Sequence, residues 1–199
     1  MKVCVIGIGN VGSAVANNII ITGSAQELYL VDTDRSKLEA EFLEFKSLAR
    51  ILGSRTEVIK TIDIPYSDIY IMCAGRNSNF AVSGQKPNAA ESHPTDRMAL
   101  YAINRSHIEP ILKNIAKINP RAILFMATNP SNELSKVALD YLHHVVAIGN
   151  LLDNARYKDS HLYGRHENPK DYYTEILKGK GFTNWGVAGE VLKMMEGFR

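Results

Sequence analysis

The first thirty-two residues constrain this chain more than any other stretch. Met1 to Ile6 is an apolar run rich in β-favouring residues, and Gly7-Ile8-Gly9-Asn10-Val11-Gly12 follows at once. Ser13 to Ile21 reads as a helix, and Leu28-Tyr29-Leu30-Val31 is a second apolar run closed by Asp32. Strand, G-x-G-x-x-G turn, helix, strand and acid are the ordered parts of a dinucleotide-binding βαβ unit. Gly7 permits the tight turn, Gly9 lets backbone approach a pyrophosphate, and Gly12 lets the helix lie close on the strand. Asn10 and Val11 belong to the turn as further cofactor-binding candidates, and the helix that follows offers its first N–H groups and partial positive charge to the phosphates. Asp32 can accept hydrogen bonds from both ribose hydroxyls and would repel a 2′-phosphate, which favours NAD over NADP. The same glycines also suit another doubly wound fold in which they only turn the chain. The agreement of all five parts favours the dinucleotide.

The rest of the composition excludes several classes. The formal net charge is +2 and the basic residues are scattered, so nucleic acid is not an expected partner. No apolar run approaches the length of a membrane span, and no signal peptide precedes the first strand. Cys4 and Cys73 both fall in apolar runs and read as buried free thiols of a reducing compartment, hence a cytoplasmic protein. No C-x-x-C or H-E-x-x-H spacing points to a metal. With 45% hydrophobic residues the chain can build a real core.

Further along, Asp34 can cap a helix over 35–52, in which Leu38, Phe42, Phe45, Leu48, Ala49 and Leu52 recur at helical spacing and Gly53 ends the run. Strands are predicted at 57–61 and 68–74, the latter nearly all apolar, with Gly75 breaking it. Residues 76–96 show no periodicity and carry Gly84, Pro87 and Pro94. A long loop after a strand's carboxyl end reads as a lid over a ligand rather than a passive linker. A helix over 97–118 follows, kinked or divided at Pro110. Then come a strand at 122–127, the polar turn Thr128-Asn129-Pro130-Ser131-Asn132, a short helix over 133–142, a strand at 145–149 and a last helix over 185–198. Six strands with intervening helices predict a Rossmann-type, doubly wound six-stranded parallel sheet in residues 1–150. Residues 151–199 then form a shorter second segment.

These motifs together resemble the lactate/malate dehydrogenase family of NAD-dependent L-2-hydroxyacid dehydrogenases. The resemblance rests on the glycine turn, Asp32, Thr95-Asp96-Arg97 with Asn104 seven residues on, Thr128-Asn129-Pro130, Leu152-Asp153-Asn154-Ala155-Arg156, Gly164-Arg165-His166, and Gly179 to Trp185. The phrase Gly149-Asn150-Leu151-Leu152-Asp153 is most similar to the 2-hydroxyisocaproate branch. The resemblance implies that Arg97 polarises a substrate carbonyl, Asn129 touches the nicotinamide ribose and substrate oxygen, and Arg156 grips the substrate carboxylate. It implies His166 as proton donor and acceptor with Asp153 orienting it, Thr183 in the substrate pocket, and Asn104 and Gly75 near the cofactor. It also implies pairing of copies through the helix over 35–52 and helices near the chain end. The chemistry requires such types. Histidine exchanges protons near neutrality, a carboxylate fixes its tautomer, and guanidinium grips a carboxylate with two prongs.

The sequence also departs from that family. A helix and a returning strand between the Asp and the catalytic His take roughly 25 to 30 residues, yet Asp153 and His166 are 13 apart. Arg165 and Glu167 flank His166 where the family has Glu and Gly, and Glu91 or Ser92 falls at the lid's specificity position. The substrate half therefore reads as a truncated remnant. Each catalytic candidate also has a plainer role. Arg97 suits a helix start, Asn129 a turn cap, Asp153 with Arg156 a local ion pair, His166 an exposed loop, and Thr183 a helix cap. Two functions fit: an NAD-dependent oxidoreductase acting on a small L-2-hydroxy acid or its 2-oxo acid, or a catalytically silent NAD-binding relative or fragment.

Overall fold

A computed structural model describes residues 1–76, 97–149 and 184–198, with the side chains of 97–99 left aside. Its elements in chain order are β1 (Lys2–Ile6), α1 (Asn10–Thr22), β2 (Glu27–Val31), α2 (Arg35–Leu52), β3 (Glu57–Thr61), β4 (Ile69–Met72), α3 (Arg97–Ile118), β5 (Ile123–Met126), α4 (Ser131–Ala138), β6 (His144–Ala147) and α5 (Trp185–Glu196). The strands form one parallel sheet in the order β3-β2-β1-β4-β5-β6. The chain builds outward from β1 to β3, then returns to place β4 against the other side of β1. That reversal opens a crevice at the carboxyl ends of β1 and β4, where doubly wound sheets bind their ligands.

Alternation along the strands feeds two cores. Val3 and Val5 of β1, Leu28 and Leu30 of β2, and Ile69 and Ile71 of β4 face one layer with Val15 and Ile19 of α1 and Phe45 of α2. Cys4, Ile6, Tyr70, Met72, Leu124 and Met126 face the other layer with Ile108, Leu112 and Ile115 of α3 and Leu134 of α4. Burial on both faces explains why β4 and β5 lack polar alternation. Each fully buried Val, Leu or Ile contributes about 1.5–3 kcal/mol, so the central strands anchor the whole unit.

Helix boundaries shift where local signals compete. Helix α1 begins at Asn10 rather than Ser13, because Gly9 is extended (φ −88°, ψ −166°) and starts the helix at once. Asp34 caps α2 as its type suggests, its carboxylate accepting the Lys37 N–H at 3.0 Å. Helix α3 runs as one element through Pro110 and is not divided there. Pro110 and Ser106 are both exposed, so the carbonyl deprived of its donor lies on the solvent side. Helix α4 starts two residues earlier and stops four earlier than its apolar spacing suggests, because Leu139 to Tyr141 close into turns. Strand β6 ends at Ala147, before Gly149, whose φ of +133° suits glycine and few other residues. Among the described residues no helix is long and apolar enough to cross a membrane.

Candidate functional site

The crevice is built from backbone first. The Gly7 N–H donates to the Val31 carbonyl and the Cys73 N–H to the Ile6 carbonyl, each at 2.8 Å, which pins the glycine turn between β2 and β4. At Gly7, φ is +91° and an added Cβ would stand 2.5 Å from the Cα of Ala74, so both conformation and space require glycine. At Gly12 a Cβ would stand 2.0 Å from the Gly7 carbonyl oxygen, so the helix can approach the turn only without a side chain. Gly9 differs. A Cβ there would meet nothing nearer than the Lys37 ammonium at 3.8 Å, and the space over its backbone is open. Helix α1 takes no side-chain cap at its start. The N–H groups of Asn10, Val11 and Gly12 therefore head an uncapped helix N-terminus beside open space, the arrangement that receives a diphosphate.

Asp32 stands at the carboxyl end of β2, half-buried, with its two oxygens divided. Oδ2 accepts the Ile8 N–H at 2.7 Å and Oδ1 accepts the Asp34 N–H at 2.9 Å. The acid thus fixes the glycine turn as well as presenting a carboxylate to a ribose. Residue spacing gives no sign of this first duty, because Ile8 and Asp32 meet only through the pairing of β1 with β2.

Across the crevice, Asn104 of α3 is fully buried and works as a bracket. Its Oδ1 accepts the Arg76 N–H at 2.7 Å, and its Nδ2 donates to the Asn129 carbonyl at 2.7 Å and the Arg76 carbonyl at 3.1 Å. Thr128 adds a second tie, its hydroxyl lying 2.7 Å from the Ala74 carbonyl oxygen and 3.1 Å from that of Met72. Gly75 passes between these two side chains, where a Cβ would stand 2.4 Å from Thr128 Cγ2 and 3.1 Å from Asn104 Oδ1. Asn129 is left exposed at the carboxyl end of β5. Gly7, Gly75, Asn104 and Asn129 thus gather where β1, β4 and β5 end. The Cys73 thiol at the end of β4 is pushed up to about 12 by burial, and the Cys4 thiol is also raised by burial. Both are free cysteines, and neither is a thiolate nucleophile near neutrality.

Arg97 opens α3, but its side chain, the lid expected over 76–96 beyond Arg76, and Asp153, Arg156, His166 and Thr183 lie outside the described residues. Asn184 follows Thr183 directly and was not singled out by spacing. It donates from Nδ2 to the Asn10 carbonyl at 3.3 Å. A hollow of about 600 Å³ lies between α1, α2 and the start of α5, and it reaches the glycine turn, since Gly9, Asn10, Lys37, Ile51, Asn184 and Trp185 are among its lining residues. No cluster of metal-ligating side chains occurs among the described residues.

Comparison with known proteins points the same way. A family model described as "lactate/malate dehydrogenase, NAD binding domain" matches residues 1–147. The chain is similar to the L-lactate dehydrogenase A chain of Fundulus heteroclitus, 30% identical over 192 residues that cover 94% of this chain and 54% of that one. It is 29% identical to the probable L-lactate dehydrogenase of Schizosaccharomyces pombe over 193 residues, again 94% and 54%. In three dimensions it resembles the malate dehydrogenase of Salinibacter ruber with a TM-score of 0.77 at 20% identity, covering 98% of this chain and 75% of that one. The chain spans about half the length of the curated relatives it matches.

Proposed function

The chain belongs to the lactate/malate dehydrogenase family and carries its NAD-binding domain, and from that premise we propose that it is an NAD-dependent oxidoreductase interconverting a small L-2-hydroxy acid and its 2-oxo acid. The observation that carries this is the meeting of the open Gly9 backbone, the uncapped start of α1 and the Asp32 carboxylate at the β1–β4 crevice. Those residues fit a dinucleotide: a diphosphate over Gly9 to Gly12 and an adenine-side ribose at Asp32.

When bound, the reduced cofactor supplies the hydride that goes to carbon 2 of the 2-oxo acid. The remaining work falls to this chain. His166 gives a proton to the substrate oxygen and takes it back in the reverse direction, while Asp153 holds the imidazole in the required tautomer. Arg156 grips the substrate carboxylate with two parallel bonds. Arg97 and Asn129 stabilise the charge that develops on the carbonyl oxygen, and Thr183 lines the pocket. Residues 1–150 form the cofactor domain in this reading and 151–199 an abbreviated substrate segment. We place the protein in the cytoplasm, where its free Cys4 and Cys73 would stay reduced, with no nucleic-acid or membrane partner. Exposed Ile51 (81%) and Trp185 (61%) beside the hollow between α1, α2 and α5 support self-association of two copies.

A second reading has its own support. The chain spans about half of its curated relatives, and Asp153 and His166 stand only 13 residues apart. A silent NAD-binding relative or fragment of a full enzyme would look the same at the crevice. NADH oxidation with pyruvate, oxaloacetate and 2-oxoisocaproate separates the two. Turnover that His166→Asn abolishes supports the enzyme. NADH binding without turnover leaves the silent binder, and a folded protein that binds no NADH refutes both.

A further inference from the structure

Helix α5 follows the sheet in sequence by a long interval, yet it is tied to the cofactor end of the fold at two polar points. At its start Asn184 is 8% exposed, and its Nδ2 donates to the Asn10 carbonyl at 3.3 Å across 174 positions of sequence. Asn184 stands at the N-cap position, where an asparagine ordinarily bonds to its own helix, but it makes no such cap. Its amide reaches to the helix that opens the glycine turn instead. Further along, Glu190 is 4% exposed and accepts the Gly149 N–H at 2.9 Å, just past the end of β6. A buried carboxylate is costly unless hydrogen-bonded, so this contact fixes how α5 lies against the sheet. Along the same helix Ala188, Val191 and Met195 enter the same core as Val15 and Ile19 of α1, and the two helices pack directly on each other.

We infer that α5 is a strap that positions the glycine turn for the cofactor, with Asn184 and Glu190 as its two positioning residues. The inference rests on the reading that the start of α1 receives the cofactor diphosphate. Asn184 holds the Asn10 peptide and lines the same hollow as Gly9 and Asn10, and Glu190 sets the axis along which Asn184 reaches. Because energetic coupling between sites is reciprocal, cofactor binding at the turn also stabilises the seating of α5. A spacer helix that only covered the apolar face of α1 would add stability without affecting affinity.

The test uses the 199-residue chain, with NADH titrated by calorimetry at a temperature well below the melting point of every variant. Asn184→Ala is expected to weaken NADH binding about three- to tenfold, the worth of one partly buried hydrogen bond. Glu190→Ala is expected to weaken it in the same direction, while Glu190→Gln, which keeps an acceptor for the Gly149 N–H, binds as the wild type does. Hydrogen exchange of the wild type gives an arm that needs no variant: NADH should slow exchange of the Ala188 to Met195 amides together with those of α1. Unchanged affinity in folded Asn184→Ala and Glu190→Ala proteins overturns the strap, as does protection that stops within α1. Failure of the wild type to bind NADH at all overturns the cofactor reading beneath it.

Discussion

Gly9 and Gly12 stand three residues apart and should respond to a methyl group in opposite ways. In Gly12→Ala the new carbon would meet the Gly7 carbonyl oxygen at 2.0 Å, so the expected result is a loss of about 1–3 kcal/mol of stability, read in chemical denaturation. In Gly9→Ala the nearest neighbour is the Lys37 ammonium at 3.8 Å and the backbone is ordinary extended chain. Stability should change by less than about 0.5 kcal/mol, while NADH affinity falls at least about tenfold, or about 1.4 kcal/mol. Asp32 combines both behaviours. Asp32→Ala removes acceptors from two backbone N–H groups and should cost about 1–3 kcal/mol even without cofactor, so its melting temperature falls before any ligand is added. The place of Asp32 was legible in the sequence because a fixed spacing follows from strand, helix and strand. Its bond to Ile8 was not, since that contact depends on register between neighbouring strands.

Among the elements, α3 is joined to the turn that follows α4 by a hydrogen bond from the Tyr141 hydroxyl to Glu109 Oε1 at 2.6 Å. That bond is the main reason the Glu109 carboxyl sits below its ordinary value, with Arg105 and Lys113 helping and desolvation opposing. A carboxyl depressed in the folded state adds stability that is present above its unfolded pKa and is lost as pH falls through the folded value. The Tyr141 hydroxyl is correspondingly raised, first by the bond to Glu109. Its contribution is present below the unfolded value and lost as pH rises through the folded one. Tyr141→Phe should therefore move the Glu109 titration, followed by NMR, back toward 4.5; an unmoved titration would show that the hydroxyl is not the cause. Helices α1 to α3 were readable from apolar spacing, Asp34 and Gly53. The start of α1 was displaced because Gly12 reads as a turn residue while it serves inside a helix. The bracket made by Asn104 could not be read at all, since its partners Arg76 and Asn129 are 28 and 25 positions away.

At the scale of the whole molecule, the cofactor half and the substrate half stand differently. The sheet order, the crevice between β1 and β4, and membership of the family all follow from ordered motifs, because a parallel sheet with one reversal leaves few alternatives. The proposed substrate and proton-transfer roles rest on Arg97, Asp153, Arg156, His166 and Thr183, and Asp153 and His166 are only 13 residues apart. Self-association belongs to this scale too. If the hollow beside Ile51 and Trp185 is where copies meet, sedimentation should show a dimer that Ile51→Glu converts to a monomer with its melting temperature preserved; a wild type that stays monomeric at every concentration removes the idea. The most direct measurement of the central claim is a calorimetric titration of the whole chain with NADH and, separately, NADPH. Saturable binding of one NADH per chain, with NADPH much weaker and the Asp32→Ala protein losing that preference, is the predicted result. A folded protein that binds neither nucleotide, or takes NADPH as readily as NADH, would contradict it.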